Sequence, residues 1–400
     1  MSFSLGEGGG DTAREIKLKT FKGASAMFVR QMVIMALNFF CGIILSRKLS
    51  PADFGVYVVS TFVVNTLGLF TDVGLGSALI QRKEEPELRH YRTIFTFQFA
   101  LILLVVTGIF FLAPVFVNIY HAQQGVVWYL RVISLTLLIS SIGSVSVIKL
   151  ERRLAYNAFA RIDVVTAIVD KSVAVSLAML GYGYWSFLVA VVCSSLVRVA
   201  VTFRAAPWHI GFAMDKPFLK SSIKFGGLFQ LAGLTSLFRD NLNALLVGPR
   251  FGPNAVGYLN WSHNIAYQGS QIFTQIVNRI NFPSLSRVQN EPAVLSDIVS
   301  RTLRLLNVLT IPILLTAMAL IHEIVAIVYT SKWDVAIPAF YCYALLMIGG
   351  NFTTTLSGFL LATDQAKNNL KIMTVWTILV WVFAIILTPI YGYMELRCHQ

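Results

Sequence analysis

Asn264, Gln268, Gln271, Gln275 and Asn278 follow one another at steps of 4, 3, 4 and 3. A helix brings residues at that spacing onto one stripe. Amides in apolar surroundings demand hydrogen-bond partners, so this stripe faces either a polar cavity or a neighbouring helix. Six ionisable residues also stand inside long apolar runs: Arg30, Asp72, Asp170, Lys171, Arg239 and Asp240. Such groups can pair with each other, hold a charged ligand or pass a proton. Arg30 lies about two turns inside the start of its run and Asp72 at similar depth in the next. The two read either as a helix-holding pair or, for Arg30, as an anion ligand. Adjacent residues on a helix do not face each other. Asp170 and Lys171, like Arg239 and Asp240, are therefore expected to find partners on other helices or on a substrate rather than to bridge themselves.

Residues near the ends of runs carry weaker signals. Arg131 and Asp163 are expected to snorkel to an interface, and His322 and Glu323 to face water. His263 flanks the amide stripe and reads as a satisfied core residue rather than a proton relay.

The elements that position these residues follow from composition. Apolar residues make up 56% of the 400 residues and charged residues 13%, against roughly 25% charged in an average soluble domain. Continuous apolar stretches of about 20 residues recur, each long enough to cross a hydrocarbon core of about 30 Å as a helix. Their continuity argues against alternating barrel strands. The fold class is an all-α polytopic membrane protein. Eleven spans are expected, at 24–46, 54–80, 93–117, 127–149, 157–180, 183–203, 222–247, 254–281, 302–324, 335–361 and 368–390. The polar, basic first twenty residues do not read as a removable signal peptide. Cys41, Cys193, Cys342 and Cys398 have neither disulfide nor metal spacing, so no metal or other cofactor is expected.

Of the 32 Lys and Arg residues, 23 fall on the side of the N-terminal tail and 5 on the opposite side. That asymmetry predicts a cytoplasmic N-terminus. It also accounts for the net charge of +13 through loops that face an anionic leaflet, which argues against nucleic-acid binding.

Two stretches mirror each other: "LSPADFGVY" (49–57) and "FGPNAVGYL" (251–259). At an offset of 202, Lys22 meets Lys224, Lys48 meets Arg250, Pro51 meets Pro253 and Gly55 meets Gly257. At an offset of 209, Tyr120 meets Tyr329 and "YGYW" (182–185) meets "YGYM" (391–394). Six spans per half make this a parallel repeat, and the Pro and Gly read as architecture: tight turns and close packing. The same offset aligns Arg30 with Ala232, so Arg30 and Arg239 are not repeat equivalents. The expected organisation is a tail (1–22), an N-lobe with spans 1–6 (23–205), a cytoplasmic inter-lobe linker (206–221) and a C-lobe with spans 7–11 (222–400). By the repeat, the second half lacks its twelfth span.

"LSPADFGVYVVSTFVVNTLGLFTDVGLGSALIQRKE" (49–84), "RRLAYNAFARID" (152–163), "AMLGYGYWSFLV" (178–189) and "IVYTSKWDVAIPAFYCYALL" (327–346) resemble the polysaccharide and O-antigen flippases of the multidrug/oligosaccharidyl-lipid/polysaccharide exporter superfamily. The resemblance implies two six-helix bundles around a central cavity. It also implies transfer of an undecaprenyl-pyrophosphate-linked oligosaccharide from the cytoplasmic to the outer leaflet of the bacterial cytoplasmic membrane. The partners it implies are that lipid-linked substrate, membrane lipids, a glycan polymerase with its chain-length machinery, and a coupling proton or sodium ion. Under it Arg30 and Arg239 become candidate ligands of the diphosphate. Asn264, Gln268, Gln271 and Gln275 become a cavity wall for sugar hydroxyls. Trp261 and Tyr267 read either as sugar-stacking faces or as interfacial belt residues. A drug or metabolite exporter of the same superfamily, or an inactive shortened flippase, is the alternative. An enzyme is not expected: no DxD, Ser–His or paired-carboxylate arrangement is present and the loops are short.

Overall fold

The structure is a computed structural model. It describes residues 8–71, 75–81, 85–220, 241–287, 292–363 and 371–379, with 222, 237, 365, 368–369 and 381–382; over 8–25, 269–287, 292–293 and a few single positions only the backbone is described. The helices are α1 (Gly8–Lys48), α2 (Pro51–Leu69), α3 (Leu75–Gln81), α4 (Leu88–Ile119), α5 (Gly125–Arg152), α6 (Tyr156–Met179) and α7 (Trp185–Ala205). A segment without regular secondary structure, 206–215, follows α7. Farther on come a π-helical turn (Asn243–Val247), α8 (Gly248–Arg287), α9 (Pro292–Ala319), α10 (Ile321–Val328), a 3-10 turn (Ser331–Ala336) and α11 (Ile337–Ala362). No strand occurs among the described residues.

Seven helical stretches among the described residues are long and apolar enough to cross a membrane: Ala26–Lys48, Pro51–Leu69, Leu88–Ile119, Gly125–Arg152, Trp185–Ala205, Val294–Ala319 and Ser331–Ser357. The chain is a multi-pass membrane protein. α6 has 24 residues, long enough to span, but carries Arg161, Asp163, Asp170 and Lys171. α8 runs over 40 residues, kinks at Gly252, where φ is 75°, and carries the amide stripe beyond that kink. The expected span at 222–247 falls largely outside the described residues; of that at 368–390, residues 368–369, 371–379 and 381–382 are described and are helical.

Two expected spans are broken. The run 54–80 divides into α2 and α3, with tight-turn bonds from Phe70 N–H to the Leu67 carbonyl and from Thr71 N–H to that of Gly68. The Thr71 hydroxyl also donates to the Gly68 carbonyl at 2.6 Å, capping the end of α2. The run 302–324 stops at Ala319 and restarts at Ile321, across a non-helical Leu320.

Helix starts follow local chemistry. Ser50, Pro51 and Asp53 open α2 as a capping box: the Asp53 N–H donates to Ser50 Oγ at 3.2 Å, and the Ser50 N–H to the Asp53 carboxylate at 2.8 Å. The N–H groups of Ser50 and Asp53 are thus satisfied, and proline at the first helical position sets φ at no cost in hydrogen bonds. Between α6 and α7, Gly181 and Gly183 hold φ of 85° and 54°, the left-handed region that glycine enters without a Cβ clash.

The chain forms two compact units. The first holds Met1–Leu49, Ser60–Val117 and Gln123–Leu234, and the second Ser50–Val59, Asn118–Ala122 and Thr235–Gln400. In the first, α6 packs between α1 and α7, and α5 packs on α7. Ile94, Ile109, Tyr129, Val145 and Ile162 are buried there. Leu104 and Phe111 are 69% and 73% exposed, a surface suited to hydrocarbon rather than water. In the second, α8, α9 and α11 pack on one another. The two mirrored Pro-to-Gly motifs lie against each other within this unit, glycine facing proline both ways. Tyr120 and Tyr329, matched at the larger offset, are both buried.

Candidate functional site

Helix α6 places Asp163 and Asp170 seven residues apart, on one face and about 10 Å apart along the axis. α1 and α7 pack on either side of α6, and each brings a cation to Asp163. Arg30 Nη1 stands 2.5 Å from Asp163 Oδ2, and Arg198 Nη1 stands 3.0 Å from Asp163 Oδ1. Their side chains are 22% (Arg30), 17% (Asp163) and 46% (Arg198) exposed. Arg30 Nη2 also donates to the Gln31 amide oxygen at 3.4 Å, while its buried Nε has no partner in the structure. Two guanidinium groups on one carboxylate leave this cluster a positive charge. The arrangement is a charge-assisted clamp across three helices, and its surplus can attract an anion.

Asp163 therefore does not snorkel to an interface as the sequence reading expects. The signal that points to it was its seven-residue spacing from Asp170, which puts both carboxylates on the α6 face that meets its neighbours. Asp72, the partner expected for Arg30, lies outside the described residues.

Two turns along, Lys171 Nζ sits 3.1 Å from Asp170 Oδ2, and Ser194 Oγ on α7 lies 3.5 Å from Asp170 Oδ1. The expectation that this adjacent duo does not bridge itself is thus corrected. Backbone directions diverge by about 100° between neighbours on a helix, but the four-carbon lysine stem is long enough to fold back to the carboxylate. Arg239 and Asp240 lie outside the described residues.

In α8, Asn264 is exposed and Gln268 half-buried, while the side chains of Gln271, Gln275 and Asn278 lie outside the described residues. His263 stacks on Tyr267 and meets Tyr343 edge-on. Trp261 is neither a belt residue nor an open stacking face. It is 4% exposed, stacks on Trp333 at 5.1 Å and meets Tyr329 edge-on at 5.0 Å. Burial pushes the Tyr329 phenol up to about 12, because the charged form loses its water.

Two polar networks in the second unit carry no periodic signal in the sequence. Asn351 on α11, 2% exposed, donates to Thr310 Oγ1 at 2.8 Å and to Asn307 Oδ1 at 3.2 Å on α9. Asn243 on the π-helical turn exchanges hydrogen bonds with Tyr343 at 2.8 and 3.1 Å. No group of His, Cys, Asp and Glu suited to a metal occurs among the described residues.

Comparison with known proteins sets these features in a family. The succinoglycan biosynthesis transport protein ExoT of Rhizobium meliloti (strain 1021) is 26% identical over 321 residues, which are 79% of this chain and 63% of that protein. The lipopolysaccharide biosynthesis protein WzxC of Escherichia coli (strain K12) is 19% identical over 362 residues, 89% of this chain and 72% of that protein. The chain thus spans a little under two thirds of the first of these relatives. Among solved structures, an inward closed conformation of the lipid II flippase MurJ superposes with a TM-score of 0.74 at 13% identity, covering 92% of this chain and 81% of that one. An inward-facing multidrug resistance MATE family transporter superposes with a TM-score of 0.63 at 16% identity, covering 88% of each chain. At these identities the likeness is one of fold. A family model described as polysaccharide biosynthesis protein matches residues 44–338, and the chain belongs to that family.

Proposed function

We propose that this chain is a flippase that moves undecaprenyl-pyrophosphate-linked oligosaccharide units from the cytoplasmic to the outer leaflet of the bacterial cytoplasmic membrane. The observation that carries the reading is the Arg30–Asp163–Arg198 cluster, half-buried among apolar helices and positive in sum, in a member of a polysaccharide biosynthesis family. A diphosphate cannot enter hydrocarbon unpaired, and a cluster with surplus guanidinium charge offers it a counter-ion. The relatives' names, succinoglycan transport and lipopolysaccharide biosynthesis, support a glycan cargo.

In this reading the N-terminus is cytoplasmic, as the distribution of Lys and Arg supports. The lobes 23–205 and 222–400 open a central cavity to each side in turn. Arg30 and Arg239 hold the diphosphate. Asp72, Asp170, Lys171 and Asp240 complete the charged part of the substrate site, and Asp170, Lys171 and Asp240 also serve the coupling of a proton or sodium ion. Asn264, Gln268, Gln271 and Gln275 meet sugar hydroxyls. A glycan polymerase and its chain-length machinery receive the product. The chain acts as a transporter and does no bond chemistry.

The test is complementation in a strain whose own glycan flippase is deleted, with lipid-linked oligosaccharide on the outer leaflet as the readout. Restored delivery supports the proposal. Full-level insertion without delivery, joined to altered sensitivity to organic cations, transfers the reading to a drug exporter.

A further inference from the structure

The segment after α7 is built like an interfacial anchor rather than a loose connection. Residues 206–215 have no regular secondary structure and lie along the first turns of α4. Trp208, 5% exposed, packs into a core with Leu79, Tyr91, Phe95 and Ile148. Phe212 lies beside Phe95 and Phe99, with ring centres 5.8 and 6.2 Å away. Those two residues stand about 9 and 15 Å along α4 from Arg89, at 1.5 Å per residue. The chain then returns. Asp215 lies 3.8 Å from Arg89 and accepts from the Phe218 N–H at 3.1 Å, and the Phe218 ring meets His90. The segment therefore dips to the level of the apolar part of α4 and comes back to its basic end.

Irregular backbone at that depth needs its polar groups satisfied by protein. Here side chains of α4 and α5 supply the partners. The Ala213 N–H donates to Thr96 Oγ1 and the Asp215 N–H to Thr93 Oγ1, both at 3.1 Å. Lys149 Nζ donates to the Pro207 carbonyl at 3.3 Å and Arg92 Nε to the His209 carbonyl at 3.4 Å. With those groups satisfied, the segment turns Ile210, Phe212 and Met214 outward, 50%, 68% and 47% exposed. Exposed cations flank this apolar row at Arg204, Lys216 and Lys220.

We infer that residues 206–220 form a shallow re-entrant strap whose outer face, Ile210, Phe212 and Met214, is seated in the anionic leaflet on the basic side of the protein. An apolar row between cations matches the acyl–headgroup boundary of such a leaflet: the row enters hydrocarbon, and the cations meet lipid phosphates. This assignment holds whatever the cargo, so it stands or falls separately from the flippase reading.

The test uses the full chain with its four cysteines replaced, in vesicles of phosphatidylethanolamine and phosphatidylglycerol. Nitroxide labels are placed through Phe212→Cys and, as a second site should that variant fold poorly, Met214→Cys. Power saturation compares collisions with oxygen, which concentrates in lipid, and with a water-soluble nickel chelate. The strap predicts oxygen accessibility several-fold above that to the chelate at both sites. A label dominated by the chelate puts the segment in water, and one shielded from both reagents puts it under protein; either result overturns the assignment.

Discussion

Gly55 is the residue that lets the Pro253 carbonyl into the first turns of α2: a Cβ on Gly55 would lie 1.6 Å from that oxygen. The contact is returned, since a Cβ on Gly257 would lie 1.9 Å from the Pro51 carbonyl oxygen. Both obstacles are backbone atoms, which cannot swing aside as a side chain can. Gly55→Ala and Gly257→Ala are each expected to cost at least about 1–3 kcal/mol, the scale of overpacking. Gly42→Ala is the control. It stands in α1 with nothing within 4 Å of a Cβ, so it gains helix propensity of up to about 1 kcal/mol. Thermal unfolding in detergent should separate the three, with the first two lowered and the third unchanged or raised.

Asp163 makes a different kind of prediction, because it holds two cations from two helices. Asp163→Asn keeps the shape and leaves Arg30 and Arg198 facing each other without a counter-charge. Breaking a fully buried pair costs about 3–5 kcal/mol. Arg198 is half exposed and solvent screens it, so roughly 1–3 kcal/mol is expected. Adding Arg30→Gln to Asp163→Asn should cost less than the two single changes summed, because the second change removes a charge the first has stranded. A double-mutant cycle on thermal stability measures this, and strict additivity would show that the clamp carries no coupling.

Much of this fold is legible in the sequence, for identifiable reasons. α4, α5 and α7 are apolar along most of their length, and composition alone marks such runs. The breaks near Phe70 and at Leu320 are not legible, because both interrupt apolar runs without a proline at the break. Partner choice is harder still. The sequence says that Arg30 needs a counter-charge, but which helix turns a carboxylate toward it depends on packing, and the answer was Asp163. The Lys171–Asp170 bridge is not legible either, because spacing rules describe where Cβ atoms point rather than where a long flexible stem can end. By sequence Trp261 reads as a sugar-stacking face or an interfacial belt residue, yet it is buried. Its cover, Trp333, comes from a 3-10 turn about 70 residues later, and no periodicity announces such a contact.

Asn351 supplies a third prediction. Its amide satisfies Asn307 Oδ1 and Thr310 Oγ1 from a buried position. Asn351→Leu keeps the branching of the side chain, though it is bulkier, and strands the Asn307 carbonyl oxygen, at about 1–3 kcal/mol. Adding Asn307→Leu removes the stranded group and should restore part of the loss. Recovery in the double variant, read as a rise in melting temperature over the single, identifies hydrogen bonding as the cause. If the double variant is no better, packing around Asn351 accounts for the loss.

Thr93 and Thr96 stand one turn apart on α4, and each hydroxyl is used twice. Thr93 donates to the Arg89 carbonyl and accepts from the Asp215 N–H; Thr96 donates to the Arg92 carbonyl and accepts from the Ala213 N–H. Replacing both with valine keeps the shape of the helix face but removes both acceptors from the irregular segment. At apolar depth each stranded N–H costs about 1–3 kcal/mol, enough together to populate a released strap by mass action. Trypsin cleavage after Lys216 and Lys220 should then be several-fold faster in the double variant. Thr166→Val on α6 is the matched control, since that hydroxyl donates within its own helix, to the Ile162 carbonyl, and cleavage should stay at the wild-type rate. Unchanged cleavage in the Thr93→Val/Thr96→Val variant would mean that the packing of Trp208 against Phe95 holds the segment without the hydroxyls. Faster cleavage there, with Thr166→Val silent, makes the threonine pair the latch.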